Sequence, residues 1–235
     1  MIPRILVAAP TSNLKDYCFD EYAEQVRNFT YPNYDILLVD NSEDKKYHHK
    51  ILEAGIRCIH HKPKGSPIEY ITECQNIIRG VAIEGGYDYV FMLESDVFVP
   101  ANIMEHMLCG GADVYTITYF ITKKGKHSVC LHGMPTNELR TSTKVLEEDV
   151  SAAVWTGEIK DIKQFKIGED FRLYGTGIGC TLFKTSVLKE IPFRIDKQFP
   201  AAFSDSYWYL DAERAGITTI LDTSLIATHK SFKIK

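Results

Sequence analysis

Short apolar runs alternate along the chain with longer segments in which apolar residues recur at helical spacing. We predict strands for the apolar runs at 5–9, 36–39, 56–59, 89–93, 112–119, 180–183, 218–221 and 225–228. We predict helices over 16–29, 45–54, 66–85 and 205–215, and a short helix that begins at Pro100. This order is typical of β-α-β units, so the pattern predicts an α/β fold with a mainly parallel central sheet and helices on both of its faces.

The third predicted helix carries the clearest boundary signals. Ser66 is the predicted N-cap, Pro67 stands at the first helical position, and Glu69 completes a capping box. Gly85 and Gly86 mark the end of this helix, since glycine is favoured just beyond a helix C-terminus.

The alternation fails between Thr122 and Glu169. This stretch is polar, with a predicted turn at 123–126 and an acidic run at 147–149. We interpret it as an inserted lid or binding region. The chain is then divided into three segments, 1–118, 119–170 and 171–235.

The composition is that of an ordinary globular protein, with 45% hydrophobic and 25% charged residues among 235. A net charge of -4 provides no overall positive field that would attract nucleic acid or anionic lipid. No apolar run approaches the roughly 20 residues of a membrane span, and no signal-peptide pattern follows Met1, so we expect a cytoplasmic protein without a transmembrane segment. The six cysteines form no C-x-x-C pair, and we expect reduced thiols.

Two carboxylates follow the predicted strand at 89–93, in the triplet Glu94-Ser95-Asp96. Ligands of open α/β sheets bind at the carboxyl ends of the strands. Oxygen ligands of this kind suit Mg²⁺ or Mn²⁺ that bridges to phosphates. Two acids that merely solvate a strand end would give the same triplet, so the triplet alone leaves a metal site and a solvated strand end as alternatives.

Five segments of the chain carry a second signal, namely Ile5–Asn13, Leu38–Asp44, Tyr87–Asp96, Gly177–Leu188 and Ser204–Gly216. In this order they resemble the family 2-like glycosyltransferases with the GT-A fold, and only 122–169 lies outside the match. The resemblance implies a Rossmann-like GT-A domain, with a nucleotide-sugar-binding half over 1–118 and an acceptor-side half over 171–235. It also implies an inverting, metal-dependent hexosyl- or pentosyltransferase that uses a nucleotide-diphospho-sugar, a UDP-sugar, with Mn²⁺ or Mg²⁺ as cofactor.

The same resemblance implies roles for individual side chains. Asp40 contacts the nucleotide base, and Pro10 and Thr11 line the same pocket. Asn76 matches an asparagine often found on the helix before the acidic triplet. The other implied donor-site residues are Asn13, Glu94, Ser95 and Gly177. The implied metal ligands are Glu94, Asp96 and His229.

The implied catalytic base is Asp205, which lies eleven residues before Gly216, as in the resembling family. The chain departs from the family pattern at two positions. Glu94 stands where the family has the first aspartate of its D-x-D motif, and Ser204 stands where many members have an acid. A helix cap is the alternative role of Asp205, and also of Asp40 at the second predicted helix.

Several other residues allow two interpretations. His229 is either a metal ligand or an ordinary surface or core histidine. Lys62 and Lys64 precede a helix N-terminus, which suits phosphate binding, although a solvated basic loop has the same composition. We interpret the histidine pairs at 48–49 and 60–61 as surface residues.

Two further functions fit parts of the pattern. One is a non-catalytic nucleotide-sugar or glycan binding module. The other is nucleotidyl transfer, which needs a basic, glycine-rich first loop that 10–13 does not supply. The acceptor of a glycosyltransferase is left open among a glycan, a lipid-linked intermediate, a protein and a modified nucleic-acid base, the last supported by basic clusters at 45–50 and 62–64.

Overall fold

The computed structural model describes residues 1–62, 64–119, 121–123, 126–135, 152–157, 171–195 and 203–230. The described strands are β1 Ile5–Thr11, β2 Tyr34–Asp40, β3 Arg57–His60, β4 Tyr89–Leu93, β5 Val97–Phe98, β6 Val114–Tyr119, β7 Ile121–Lys123, β8 Lys126–Pro135, β9 Ala152–Gly157, β10 Phe171–Thr176, β11 Cys180–Lys184 and β12 Thr219–His229. The described α-helices are α1 Phe19–Arg27, α2 Lys46–Glu53, α3 Pro67–Glu84, α4 Ile103–Cys109, α5 Thr185–Glu190 and α6 Ser204–Arg214. A 3-10 helix spans Asn13–Cys18, between β1 and α1.

Eight of these strands form the central sheet, in the order β3-β2-β1-β4-β11-β6-β12-β5. β1 runs parallel to both β2 and β4, β2 is parallel to β3, and β6 is parallel to β12. β11 is antiparallel to its neighbours β4 and β6, and β5 is antiparallel to β12. The predicted mainly parallel sheet is therefore confirmed, with antiparallel pairs at the inserted β11 and at the β5 edge.

Two hydrophobic clusters cover the two faces of this sheet. Along β1, Ile5 and Val7 belong to one cluster and Leu6 and Ala8 to the other, because successive side chains of a strand point to opposite faces. The first cluster includes apolar residues of α1, α2 and α4, and the second includes residues of α3, α5 and α6. The prediction of helices on both faces is confirmed.

The capping box that defines the start of α3 is formed as predicted. The Ser66 hydroxyl accepts a hydrogen bond from the Glu69 backbone N–H at 3.4 Å, and the Glu69 carboxylate accepts one from the Ser66 N–H at 2.7 Å. Pro67 is the first residue of the helix. No helix in the described part of the chain, including the 18-residue α3, is both long enough and apolar enough to cross a bilayer.

The structure departs from the predicted elements at three places. The runs predicted as two strands at 218–221 and 225–228 belong to the single strand β12. The chain after β1 first forms the 3-10 helix, so that α1 begins three residues later than predicted. Sequence patterning assigned no strand to 122–169, but β8 and β9 lie there and pair with each other in a second sheet that also contains β7 and β10. The acidic run at 147–149 is outside the described residues.

Candidate functional site

The carboxyl ends of four parallel strands meet at one edge of the central sheet. Thr11, the last residue of β1, is in register with Asp40 at the end of β2, and Asp40 is in register with His60 at the end of β3. The Thr11 hydroxyl lies 2.8 Å from the hydroxyl of Ser95, so a buried hydrogen bond joins the exit of β1 to the exit of β4. This edge is where open α/β sheets bind ligands.

A cavity of about 330 Å³ opens at this edge. Of the residues predicted to bind a donor, Pro10, Thr11, Glu94 and Ser95 line it. Lining residues that the sequence did not suggest include Lys15, Asn41, Tyr70, Gln75 and Ile178. The volume is within the range of small-molecule sites.

Glu94, Asp96 and His229 converge beside the cavity, and their ligand atoms all lie within 4.8 Å of one another. The acids follow β4, whereas His229 ends β12 and reaches them because it pairs with Val97 of β5. The Lys230 N–H donates to the Asp96 carbonyl at 2.8 Å, which fixes this pairing. The imidazole of His229 also stacks on the ring of Tyr119, at a centroid distance of 5.5 Å and an interplanar angle of 10°.

Asp96 is almost fully buried, and its two carboxylate oxygens differ in their surroundings. The Oδ2 atom contacts the Lys15 ammonium and lies 3.3 Å from the His229 Nε2 atom. Burial opposes ionisation, but the hydrogen bond with His229 and the positive charge of Lys15 outweigh it and lower the pKa of Asp96. Asp96 Oδ1 and His229 Nδ1 are buried without a hydrogen-bond partner among the described residues.

The pKa of Glu94 shifts in the opposite direction to that of Asp96. Burial and the negative charge of Asp96 raise the pKa of Glu94 to about 7. The backbone of Glu94 is held against Gly179, whose carbonyl accepts a hydrogen bond from the Glu94 N–H at 2.9 Å. A Cβ atom at Gly179 would lie 2.7 Å from the Glu94 carboxylate, so any residue other than glycine would require a neighbouring side chain to shift. At Gly177, one of the implied donor-site residues, a Cβ atom would lie 2.8 Å from the Tyr119 hydroxyl, so this glycine packs against the ring that stacks on His229.

These residues fit a divalent cation. Two carboxylates and an imidazole are acceptable ligands of Mn²⁺, and the carboxylate oxygens are also acceptable ligands of Mg²⁺. The unpartnered Asp96 Oδ1 atom is a buried acceptor for which a cation would supply the missing partner.

Asp205 lies in the first turn of α6, where its Oδ1 atom accepts a hydrogen bond from the Ser206 N–H at 2.8 Å. The N-cap residue of α6 is Phe203, so Asp205 is inside the helix rather than capping it. The negative charge of Asp205 is the smallest of the influences that raise the pKa of Glu94. The neighbouring Ser204, at the position where the resembling family often has an acid, donates to Gln75 of the cavity wall at 2.5 Å.

Asp40 is completely buried and is not among the residues that line the cavity. Its Oδ1 atom accepts hydrogen bonds from the N–H and the hydroxyl of Ser42, at 3.0 and 2.5 Å. The Ser42 hydroxyl in turn accepts the Asn13 N–H at 2.8 Å, so Asp40 supports the loop that carries Asn13. The Asp40 Oδ2 atom lies 3.4 Å from His60 Nδ1 without a hydrogen bond. Because the His60 side chain is only 10% exposed, the prediction that it is a surface residue is wrong.

Asn76 is not among the residues that line the cavity. Its amide donates to the Phe193 carbonyl at 2.8 Å and accepts the Phe193 N–H at 3.1 Å, so it joins α3 to the segment after α5. The preceding residue, Gln75, occupies the cavity wall in its place. Lys64 lines a separate groove beside Phe193, and not the cavity that contains Glu94.

Comparison with solved structures finds glycosyltransferases. The chain is similar to TarS from S. aureus, with 12% identity and a TM-score of 0.58 over 97% of this chain and 37% of that one. A TarS fragment (1–349) solved with UDP-GlcNAc gives 12% identity and a TM-score of 0.56 over 98% of this chain and 60% of that one. The mannosyltransferase PcManGT from Pyrobaculum calidifontis, solved with GDP-Man and Mn²⁺, gives 12% identity and a TM-score of 0.59 over 100% of this chain and 59% of that one.

These likenesses show the fold of the chain. It is the GT-A fold, as the sequence resemblance implied, and the chain spans between 37% and 60% of the length of the three structures. No protein-family model and no curated protein sequence matches the chain.

Proposed function

We propose that this chain is a glycosyltransferase that moves a sugar from a nucleotide-diphospho-sugar, a UDP-sugar, to an acceptor hydroxyl. The observation that carries the proposal is the convergence of Glu94, Asp96 and His229 beside a cavity at the carboxyl edge of the sheet. Support also comes from the shared fold, because TarS was solved with UDP-GlcNAc and PcManGT with GDP-Man and Mn²⁺.

In this proposal, segment 1–118 supplies the donor-binding side and segment 171–235 supplies the base and one metal ligand. Glu94, Asp96 and His229 hold Mn²⁺ or Mg²⁺, which when bound supplies positive charge to the diphosphate leaving group. Thr11 and Ser95 line the donor cavity.

Asp205 is the proposed base of an inverting reaction. The acceptor hydroxyl attacks the anomeric carbon opposite the leaving group. Its oxygen forms the new bond to the sugar, the bond from the sugar to the diphosphate breaks, and the hydroxyl proton passes to the Asp205 carboxylate. Asp205 lies in the first turn of α6, next to Ser204, which donates to Gln75 of the cavity wall.

Calorimetry of nucleotide binding tests the donor and metal roles. UDP and GDP are titrated into the protein with MnCl₂ and with EDTA. We expect UDP to bind much more tightly with Mn²⁺ than with EDTA, and more tightly than GDP. Asp96→Asn should remove the difference between Mn²⁺ and EDTA. The matched control is Asp113→Asn, since Asp113 pairs with Lys184 at the opposite edge of the sheet. Equal UDP affinity in Mn²⁺ and EDTA would rule out the metal role.

Release of UDP from UDP-sugars tests catalysis, first with water and then with glycan, lipid-linked, protein and nucleic-acid acceptors. Asp205→Asn should bind UDP and Mn²⁺ normally but turn over roughly 100-fold or more slowly, as expected for loss of a positioned base. Near-normal turnover of this variant would remove Asp205 from the mechanism. Donor binding without turnover of any acceptor would favour the binding-module alternative.

A further inference from the structure

Lys15 reaches the metal-ligand cluster from outside the acidic motif. It belongs to the 3-10 helix that follows β1, and its Nζ atom contacts the Oδ2 atom of Asp96. The Lys15 side chain is 35% exposed and lines the same cavity as Thr11 and Glu94, whereas the Asp96 side chain is 1% exposed. The lysine therefore joins the open cavity to a buried carboxylate.

The contacts of Asp96 are concentrated on one oxygen. Besides the Lys15 ammonium, the Oδ2 atom has the His229 Nε2 atom at 3.3 Å and the Tyr17 hydroxyl at 3.4 Å, while no described residue gives the buried Oδ1 atom a hydrogen bond. A buried carboxylate without a counter-charge is strongly destabilising, so the ammonium stabilises Asp96 here. An ammonium and a divalent cation in contact with the same carboxylate repel each other.

We propose that Lys15 is a built-in counter-ion that competes with the divalent cation for Asp96 and binds the donor diphosphate once the cation has displaced it. This inference rests on the proposed function. The flexible four-carbon stem of lysine allows its charge to move within the cavity that it already lines. Lys15 thus keeps Asp96 paired before the donor and metal arrive, and afterwards contributes its charge to the phosphates.

Titration of MnCl₂ into the nucleotide-free protein tests the competition. Lys15→Met removes the competing charge, so we expect Mn²⁺ to bind about tenfold or more tightly. In the wild type most molecules have the Lys15 ammonium on Asp96, and in the variant this competitor is absent. Lys15→Gln should behave in the same way and serves if the methionine variant does not fold. Lys15→Arg keeps the charge and should keep the wild-type affinity. Lys50→Met is the matched control, since Lys50 is 39% exposed and pairs with Asp16 instead.

Titration of UDP with saturating MnCl₂, which displaces Lys15 from Asp96, tests the second role. Lys15→Met should weaken UDP binding under this condition, and Lys50→Met should not. The proposal is overturned if the uncharged Lys15 variants bind Mn²⁺ with unchanged or lower affinity, or if none of the proteins binds Mn²⁺. If wild-type protein binds Mn²⁺ but UDP binding is the same in Mn²⁺ and EDTA, the proposed function fails rather than the competition.

Discussion

Gly179→Ala tests whether the close packing behind Glu94 determines the metal site. A Cβ atom at this position would lie 2.5 Å from the Tyr119 hydroxyl and 2.7 Å from both the Cδ and the Oε2 atoms of Glu94. These distances are below 3.0 Å, so at least one of the two side chains must shift. Both side chains affect the metal-ligand cluster, because Glu94 is one of its ligands and Tyr119 stacks on the imidazole of His229.

The expected effect is on both stability and metal affinity. Adding a methyl group to a well-packed site costs about 1–3 kcal/mol, and we expect a loss of this size in the free energy of unfolding. Displacement of residues that orient metal ligands lowers metal affinity by about 10- to 100-fold. We expect Gly179→Ala to bind Mn²⁺ more weakly by a factor in this range.

Urea denaturation and Mn²⁺ calorimetry measure the two effects. The matched control is Gly80→Ala in α3, where a Cβ atom meets nothing within 4 Å. This control should bind Mn²⁺ normally and gain about 0.5–1 kcal/mol of stability, since alanine favours a helix interior over glycine. If Gly179→Ala has the same free energy of unfolding and the same Mn²⁺ affinity as the wild type, the packing argument is refuted.

Three further predictions concern charge and hydrogen bonding. Because the pKa of Glu94 is about 7 in the folded chain and 4.5 as its ordinary value, the metal-free protein should lose stability as the pH rises from about 4.5 to 7. Urea denaturation across this range should show a smaller decrease for Glu94→Gln, and an unchanged slope would contradict the prediction. Despite burial, hydrogen bonds from His106 and Ser224 lower the pKa of Asp222 to about 2. The stabilisation by Asp222 is full above about pH 4 and is lost as the pH falls towards 2. The stability of Asp222→Asn should therefore depend less on pH over this range, as measured by acid unfolding monitored by circular dichroism. Asn76→Ala should lose about 1–3 kcal/mol in urea, because it leaves the Phe193 backbone groups unpaired, while UDP affinity is unchanged. A large loss of UDP affinity in a folded Asn76→Ala protein would return that residue to the donor site.

Local patterns were sufficient to predict most of the central sheet. β4 was predicted with its observed bounds because its apolar run is short and is bounded by polar residues on both sides. The boundaries of α3 were predictable because capping boxes and terminal glycines act within a few residues of the helix end. α5 was missed, since six residues are too few for helical periodicity to be recognised. β8 and β9 were missed because 122–169 was interpreted as one polar insertion, although β9 is a mostly apolar run that pairs with β8.

The candidate site was predictable to the extent that it follows strand ends. Glu94 and Asp96 follow β4 directly, so the topology alone places them at the ligand-binding edge. Lys15 could not be predicted, because its contact with Asp96 spans 81 residues of sequence. Gln75 and Asn76 are neighbours on α3, and successive residues of a helix are about 100° apart. The sequence resemblance named Asn76, whereas in the fold Gln75 lines the cavity.

The position of His229 depends on an irregularity of β12. Asp222 pairs with Ile117 of β6 and Ala227 pairs with Tyr119, so five residues of β12 correspond to two residues of β6. The three additional residues are an odd number and therefore reverse the face on which later side chains point, since side chains alternate along a strand. They also keep the end of β12 about 10 Å nearer to the level of Tyr119 than a regular strand would. Asp222 stabilises this irregularity by accepting hydrogen bonds from the N–H and hydroxyl of Ser224, at 2.7 and 2.6 Å. The imidazole can therefore stack on Tyr119 and meet Asp96 only because β12 departs from regular pairing, which no motif spacing in the sequence reveals.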